Sequence, residues 1–255
     1  SIAFFVIIAL LKRADTCITV SNSTAKALVK LGLQKNRIWV SGNGVDVEHI
    51  KSFKVEGDKP SDGVFVGRVS REKGVFDLVK AWRQIVDVKT DARLLIIGSG
   101  PDEDKVKKLV SELDLDKNVV VMGRCSNKKM YALMKASRVF VFPSVFEGWG
   151  LAVAEALACG LPAVCYDIPA LHEVLGDCQS VFLVPIGDIK GLAQTTLDVL
   201  RKNKTREFAE ISLTFVKRYD WKEVARKDLQ IIWNLLSKSH SNCPAKPNAL
   251  AEKNP

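Results

Sequence analysis

Two glutamates eight positions apart, Glu147 and Glu155, flank a glycine-rich bend in the stretch FPSVFEGWGLAVAEALACG, residues 142–160. Gly148 and Gly150 remove side chains that would block a ligand, so the free amides of a helix opening near Gly150 and Leu151 can face an anion, aided by the helix dipole. A diphosphate suits that position. Glu155 lies about one and a half turns into the helix, too deep to cap it, and a carboxylate near bound phosphates repels them unless it meets hydroxyls instead, such as a ribose diol. Glu147, ahead of the bend, is placed to receive hydrogen bonds from a second set of hydroxyls, which a sugar ring would supply.

Two phosphates and a departing diphosphate demand fixed positive charge. Arg68 and Lys73 in VGRVSREKG, residues 66–74, can supply it, ordinary surface charge being the lesser reading of the two taken alone. Convergence gives them weight. That loop with Gly67, IGSGPDED (97–104) with Gly98, and FEGWGL (146–151) each follow an expected strand, so all three open on one edge of a sheet, as a phosphate-binding crevice requires.

The elements that must hold these loops are legible from Val64 onward. VFVG, RLLIIG, VVVMG, RVFVF, PAVCY and SVFLV read as short strands, each followed by a helical pattern. Their continuous apolar character predicts an α/β fold: a Rossmann-like, doubly wound parallel sheet covered on both faces, with its ligand at the carboxyl ends of the strands. Earlier, TCITV (16–20), the capped helix SNSTAKALVKLG closed by Gly32, and RIWV with the turn GNGVD read as the tail of a second Rossmann-like unit. The chain divides into that remnant (1–45), a polar linker (46–63), the nearly complete domain (64–202), C-terminal helices (203–237) parted near Tyr219 with Asp220 as a cap, and a disordered tail (238–255).

With 255 residues, 47% hydrophobic and 26% charged, the chain can fill one large core or two small ones. The net charge of +9 is spread along amphipathic segments without an aromatic-interleaved basic block. No nucleic acid is expected; a phosphate-bearing small molecule or an anionic membrane surface fits the balance. The six cysteines form no CxxC pair and read as buried thiols in a reducing cytosol. The opening SIAFFVIIALL is about half a membrane span and reads as a buried or packing helix at the edge of a piece cut from a longer polypeptide. Asp102, Glu103 and Asp104 follow Pro101 at a helix start, where acids meet the dipole, so capping is preferred to metal binding. His49, His172 and His240 lack spaced partners, and no Gly-x-Ser-x-Gly elbow or Walker lysine occurs.

The stretch FPSVFEGWGLAVAEALACGLPAV resembles the E-x7-E signature of retaining, nucleotide-sugar-dependent glycosyltransferases of family 4, which have the GT-B architecture of two Rossmann-like domains. The resemblance continues through VSNSTAKAL, GNGVD, FVGRVSREKG, LLIIGSGP, VVVMG and YDWKEVA, from about Ala14 to Leu236. It implies a donor-binding half in which Arg68 and Lys73 hold the diphosphate of a UDP- or GDP-sugar, Glu147 stands by the donor sugar and Glu155 holds the ribose. The backbone of Gly150 and Leu151 would contact phosphate, and the base would lie near Gly123, Arg124 and Cys125. A glycan or lipid-linked acceptor, no metal or other cofactor, and a cytoplasmic site of action, with a lipid-linked acceptor at the cytoplasmic face of the membrane, go with that reading. So does an inactive isolated fragment, since the acceptor half would lie before Ser1. Where many relatives have a glycine-rich turn, residues 166–173 read YDIPALHE, which blurs donor preference. A non-catalytic nucleotide-sugar-binding module, and another GT-B enzyme such as an epimerase or a phosphorylase, are the alternatives.

Overall fold

A computed structural model describes residues 2–54, 61–202 and 205–241. Helix α1 (Ile2–Arg13) precedes a two-stranded parallel sheet of β1 (Cys17–Thr19) and β2 (Ile38–Val40), joined by α2 (Asn22–Lys30) and followed by α3 (Val47–Ser52). The apolar runs beyond Asp62 then form six parallel strands: β3 (Gly63–Val66), β4 (Leu94–Ile97), β5 (Val119–Gly123), β6 (Val139–Phe142), β7 (Ala163–Tyr166) and β8 (Val181–Val184). Between and after them run α4 (Val75–Val88), α5 (Glu103–Glu112), α6 (Asn127–Lys135), α7 (Leu151–Ala158), α8 (Pro169–Leu175) and α9 (Ile189–Lys202). Helices α10 (Thr205–Val216) and α11 (Trp221–Ser241) close the described chain.

The sheet order is β5-β4-β3-β6-β7-β8. The chain winds outward from β3 through β4 and β5, returns to β3's other flank at β6, and winds away through β7 and β8. This is the expected doubly wound arrangement, and the change of direction between β3 and β6 opens a crevice outside their carboxyl ends. β4, β6 and β7 are buried along their whole length, which their unbroken apolar sequences require. Phe65, Phe140 and Phe142 stack in the core, with ring centroids 5.5 and 5.7 Å apart. Helix α4 buries Val75, Leu78, Val79, Trp82, Ile85 and Val86, the i, i+3, i+4, i+7 stripe of a helix laid on a sheet.

At the amino ends of the strands, Asp62 accepts hydrogen bonds from Arg93 N (3.0 Å), Arg138 Nη1 (3.1 Å) and Lys89 Nζ (3.3 Å), tying the approaches to β3, β4 and β6 together. At the carboxyl end, the β4–β5 ladder slips: Ile96 faces Val121 but Ile97 faces Gly123, leaving Met122 as an extra residue. Gly98 then bridges back to Gly123.

The structure redraws several sequence boundaries. Part of the expected linker is helical, since Asp46 caps α3 by accepting from His49 N, and β3 begins at Gly63. Residues 55–60 of that linker lie outside the described residues. Helix α11 runs to Ser241, taking in the first four residues of the expected tail, and the rest of the tail lies outside the described residues. Asp220 does cap α11, accepting from Lys222 N at 3.0 Å. Helix α1 is not buried: Phe5, Val6, Ile7 and Leu10 are all exposed, because within this chain little packs on them. Among the described residues no helix is long and apolar enough to cross a membrane. The first unit is pinned to the C-terminal helices through Val45, which donates to Tyr219 O (2.8 Å) and accepts from Trp221 N (3.3 Å).

Candidate functional site

The loop from Pro143 to Gly150 carries the chain from β6 to α7 across the crevice. Gly150 has φ 104°, and a Cβ there would stand 2.3 Å from Leu171 Cδ2, so only glycine can start α7 in this place. The helix buries Val153, Ala154, Ala156, Leu157 and Ala158 beside the sheet while Leu151 stays exposed at its open end. Its amide-rich terminus is therefore rigidly held and accessible.

Facing this loop is the turn that follows β3. Gly74 has φ 68° and approaches so closely that a Cβ would fall 1.8 Å from Pro143 O. Val145 N donates to Glu72 O at 3.0 Å across the same contact. The two loops are thereby held together, and Lys73 Nζ lies 2.6 Å from Glu147 Oε1, with side chains only 19% and 13% exposed. Arg68 instead bonds Glu72 at 3.0 Å and is 62% exposed. The two cations expected to share one anion each hold a carboxylate of their own.

Glu155 points inward from α7 and accepts a 2.7 Å hydrogen bond from Tyr131 Oη on α6. Burial pushes its carboxyl above the usual 4.5, against the opposing pull of the Tyr131 hydrogen bond. Burial, then the hydrogen bond to Glu155, pushes the Tyr131 phenol up, so it remains a neutral donor. Tyr131 had no distinguishing signal in the sequence, because its meeting with Glu155 depends on how α6 and α7 flank the sheet.

Gly67, Arg68, Gly98, Ser99, Arg124 and Cys125 surround a cavity of about 360 Å³ at the carboxyl ends of β3, β4 and β5. Here Arg124 Nε donates to Ser99 Oγ at 2.8 Å. Five of the residues singled out from the sequence thus meet in one hollow, with Gly123 bridged to its rim through Gly98. Gly148 is engaged differently: its carbonyl accepts from Ser21 Oγ at 2.7 Å, a contact with the first unit that the sequence did not announce.

Asp102 stands at the start of α5 but makes no cap bond to it; its carboxylate accepts from Arg71 N (3.0 Å) and Lys105 Nζ (2.9 Å). The hydrogen bonds from Lys105 and Arg71 hold it below the usual carboxylate range. Among the described residues no three His, Cys, Asp or Glu side chains gather as a metal site. His49 packs edge-on against Phe53, and His172 Nδ1 lies 2.9 Å from Asp167. Cys17, Cys125, Cys159, Cys165 and Cys178 are free thiols, Cys159 pushed up to about 12 by burial.

The doubly wound sheet, with a hollow at the carboxyl ends of β3, β4 and β5 and a glycine-started helix after β6, defines an α/β protein of the Rossmann-like class. Residues 46–210, well over half of the chain, match the family Glycosyl transferases group 1, and the chain belongs to it. Relatives include an N-acetylgalactosamine-N,N'-diacetylbacillosaminyl-diphospho-undecaprenol 4-alpha-N-acetylgalactosaminyltransferase of Campylobacter jejuni, 28% identical over 89% of this chain and 62% of its own length. A phosphatidyl-myo-inositol mannosyltransferase of Mycobacterium leprae is 30% identical over 74% of this chain and 51% of its own. The chain therefore spans roughly half to three fifths of these curated relatives. Among solved structures, sucrose-phosphate synthase from Thermosynechococcus elongatus superposes with a TM-score of 0.78 at 25% identity, over 92% of this chain and 61% of that one. Anabaena HepE in complex with UDP and glucose gives 0.77 at 21% identity, over 91% and 66%. The fold is that of GT-B glycosyltransferases.

Proposed function

We propose that this chain supplies the donor-binding half of a retaining, family 4-like glycosyltransferase that moves a sugar from a UDP- or GDP-sugar to a glycan or lipid-linked acceptor. The Lys73–Glu147 pair carries this reading, since it joins the loop after β3 to the loop that leads into the glycine-started α7. The family match and the glycosyltransferase names of the relatives support it. The complex of the Anabaena neighbour with UDP makes UDP the first nucleotide to try.

In this reading the base and ribose enter the hollow lined by Gly67, Gly98, Arg124 and Cys125, with the ribose hydroxyls donating to Glu155. The diphosphate lies between Arg68, Lys73 and the amides of Gly150 and Leu151. On binding, Lys73 exchanges Glu147 for phosphate oxygen, and the released carboxylate accepts hydrogen bonds from the donor sugar. As the bond from the anomeric carbon to the diphosphate oxygen breaks, the cations and helix amides stabilise the departing charge. The acceptor oxygen bonds the anomeric carbon from the same face, and its proton passes to the departing diphosphate, which retains configuration. Glu147 orients the sugar while positive charge grows on it. No step needs a metal or other cofactor.

The test uses the intact protein with a panel of UDP- and GDP-sugars, measuring nucleoside diphosphate release and the anomeric configuration of the product. Turnover that persists near wild-type level in both Glu147→Ala and Arg68→Ala would end the proposal; an inverted product would end its retaining part.

A further inference from the structure

The N-terminus of α2 is held by Glu173 of the large domain and by Ser21, which precedes the helix. Its first two amides, of Asn22 and Ser23, donate to the two carboxylate oxygens of Glu173 on α8, at 2.7 and 2.9 Å, and Asn22 Nδ2 adds a third bond at 2.9 Å. The third amide, of Thr24, donates to Ser21 Oγ at 3.0 Å. Amides that a helix leaves unpaired are thus satisfied, two of them by a carboxylate about 150 residues away.

Ser21 is fully buried. Having accepted from Thr24 N, its hydroxyl has one hydrogen to give, and Gly148 O, 2.7 Å away, can only accept. Thr24 Oγ1 reaches the same carbonyl at 3.3 Å. Gly148 is the residue between Glu147 and the Trp149–Gly150 start of α7. In a trans peptide the carbonyl and the next N–H point opposite ways, so fixing Gly148 O also fixes the direction of Trp149 N–H. Trp149 itself is buried edge-on against Tyr219, whose hydroxyl donates to Val174 O on α8. Loop, α8 and α2 thus form one closed set of contacts.

We infer that Ser21 and Glu173 are positioning residues: Glu173 seats α2, and Ser21, through its bond to Gly148 O, holds the Glu147–Gly150 loop in the shape that receives the diphosphate. The inference rests on the donor-site reading above and adds to it residues from outside the crevice.

Ser21→Asp separates latch from cap. Aspartate is a good helix cap, but ionised it has no hydrogen for Gly148 O. In the intact protein, UDP affinity by calorimetry should weaken about fivefold in Ser21→Asp. Amide exchange over 147–151 should speed up, and α2 should remain protected. Ser21→Thr, which keeps both bonds, should recover most of the affinity. Glu173→Gln, which replaces one acceptor oxygen by an NH2 facing a backbone N–H, should weaken UDP in the same direction and serves as the deciding variant should Ser21→Asp not fold. A role confined to capping α2 would leave UDP affinity and loop exchange at wild-type level, whatever the thermal stability. That outcome in Ser21→Asp, or in Glu173→Gln where it stands in, overturns the inference. Lys73→Ala runs alongside: if it binds UDP like wild type, the donor-site reading fails and takes the inference with it, whereas wild-type affinity in the latch variants with loss in Lys73→Ala removes the latch only.

Discussion

At the scale of single residues, the ion pair with Glu147 already engages the Lys73 ammonium, so in the proposed reading the donor diphosphate competes for it. Lys73→Ala should therefore weaken UDP binding about tenfold and lower donor turnover by about 10²–10³, the range for removing one group that stabilises developing charge. Glu147→Gln should leave UDP affinity equal to or better than wild type while turnover falls. Calorimetry paired with nucleotide-release rates separates the two. Glu155 carries the pH dependence. Its folded carboxyl titrates above 4.5, because burial favours the neutral form. The apo protein is thus favoured by its protonation at low pH, and that contribution is lost as pH rises from 4.5 through the raised value. If Glu155 receives the ribose hydroxyls as proposed, it does so best when ionised, so UDP affinity should fall as pH drops through the same window, and Glu155→Gln should flatten that profile. Glu147, Glu155, Arg68 and Lys73 were legible as candidates because glycines and strand ends announced where they sit. Glu72 beside Arg68, Tyr131 beside Glu155 and Ser21 beside Gly148 were not, since each contact joins separate elements or a geometry that spacing does not set.

Among the elements, glycines with similar backbone angles bear unequal constraints. Gly74 and Gly123 both have positive φ, at 68° and 77°, yet a Cβ on Gly74 would meet Pro143 O at 1.8 Å whereas one on Gly123 meets nothing within 4 Å. Gly123→Ala should cost about 1–2 kcal/mol, the strain of the left-handed region alone. Gly74→Ala should cost roughly 3 kcal/mol or more, and should also loosen the Lys73–Glu147 approach, because a backbone carbonyl cannot swing aside. Denaturant unfolding of both variants checks the difference. The extra residue in β5 is a second such device. Deleting Met122 should straighten the ladder and redirect Arg124, which directly follows β5, away from Ser99, so UDP binding should drop while the sheet survives.

For the whole molecule, the doubly wound parallel sheet was legible in the alternation of buried runs and helical patterns, whereas its strand order was not. Neither was the helix in the linker, because α3 is only six residues long and depends on an aspartate cap more than on periodicity. Nor was the exposure of α1, because an apolar sequence does not say which neighbours will cover it. A ligand bound across the loops of several strands stabilises all of them together. UDP at a hundred times its Kd should add about 2.7 kcal/mol, which at ~2–4 °C per kcal/mol raises Tm by about 5–10 °C. Thermal scans with Lys73→Ala as control measure it. The ionic knot around Asp62 lies at one end of the sheet's strands, and the hollow lined by Arg68 and Arg124 at the other. Replacing whole loops at the ligand end therefore leaves the knot intact, so new sugar preferences can be grafted onto this frame, and divergence can work on selectivity without rebuilding the foundation.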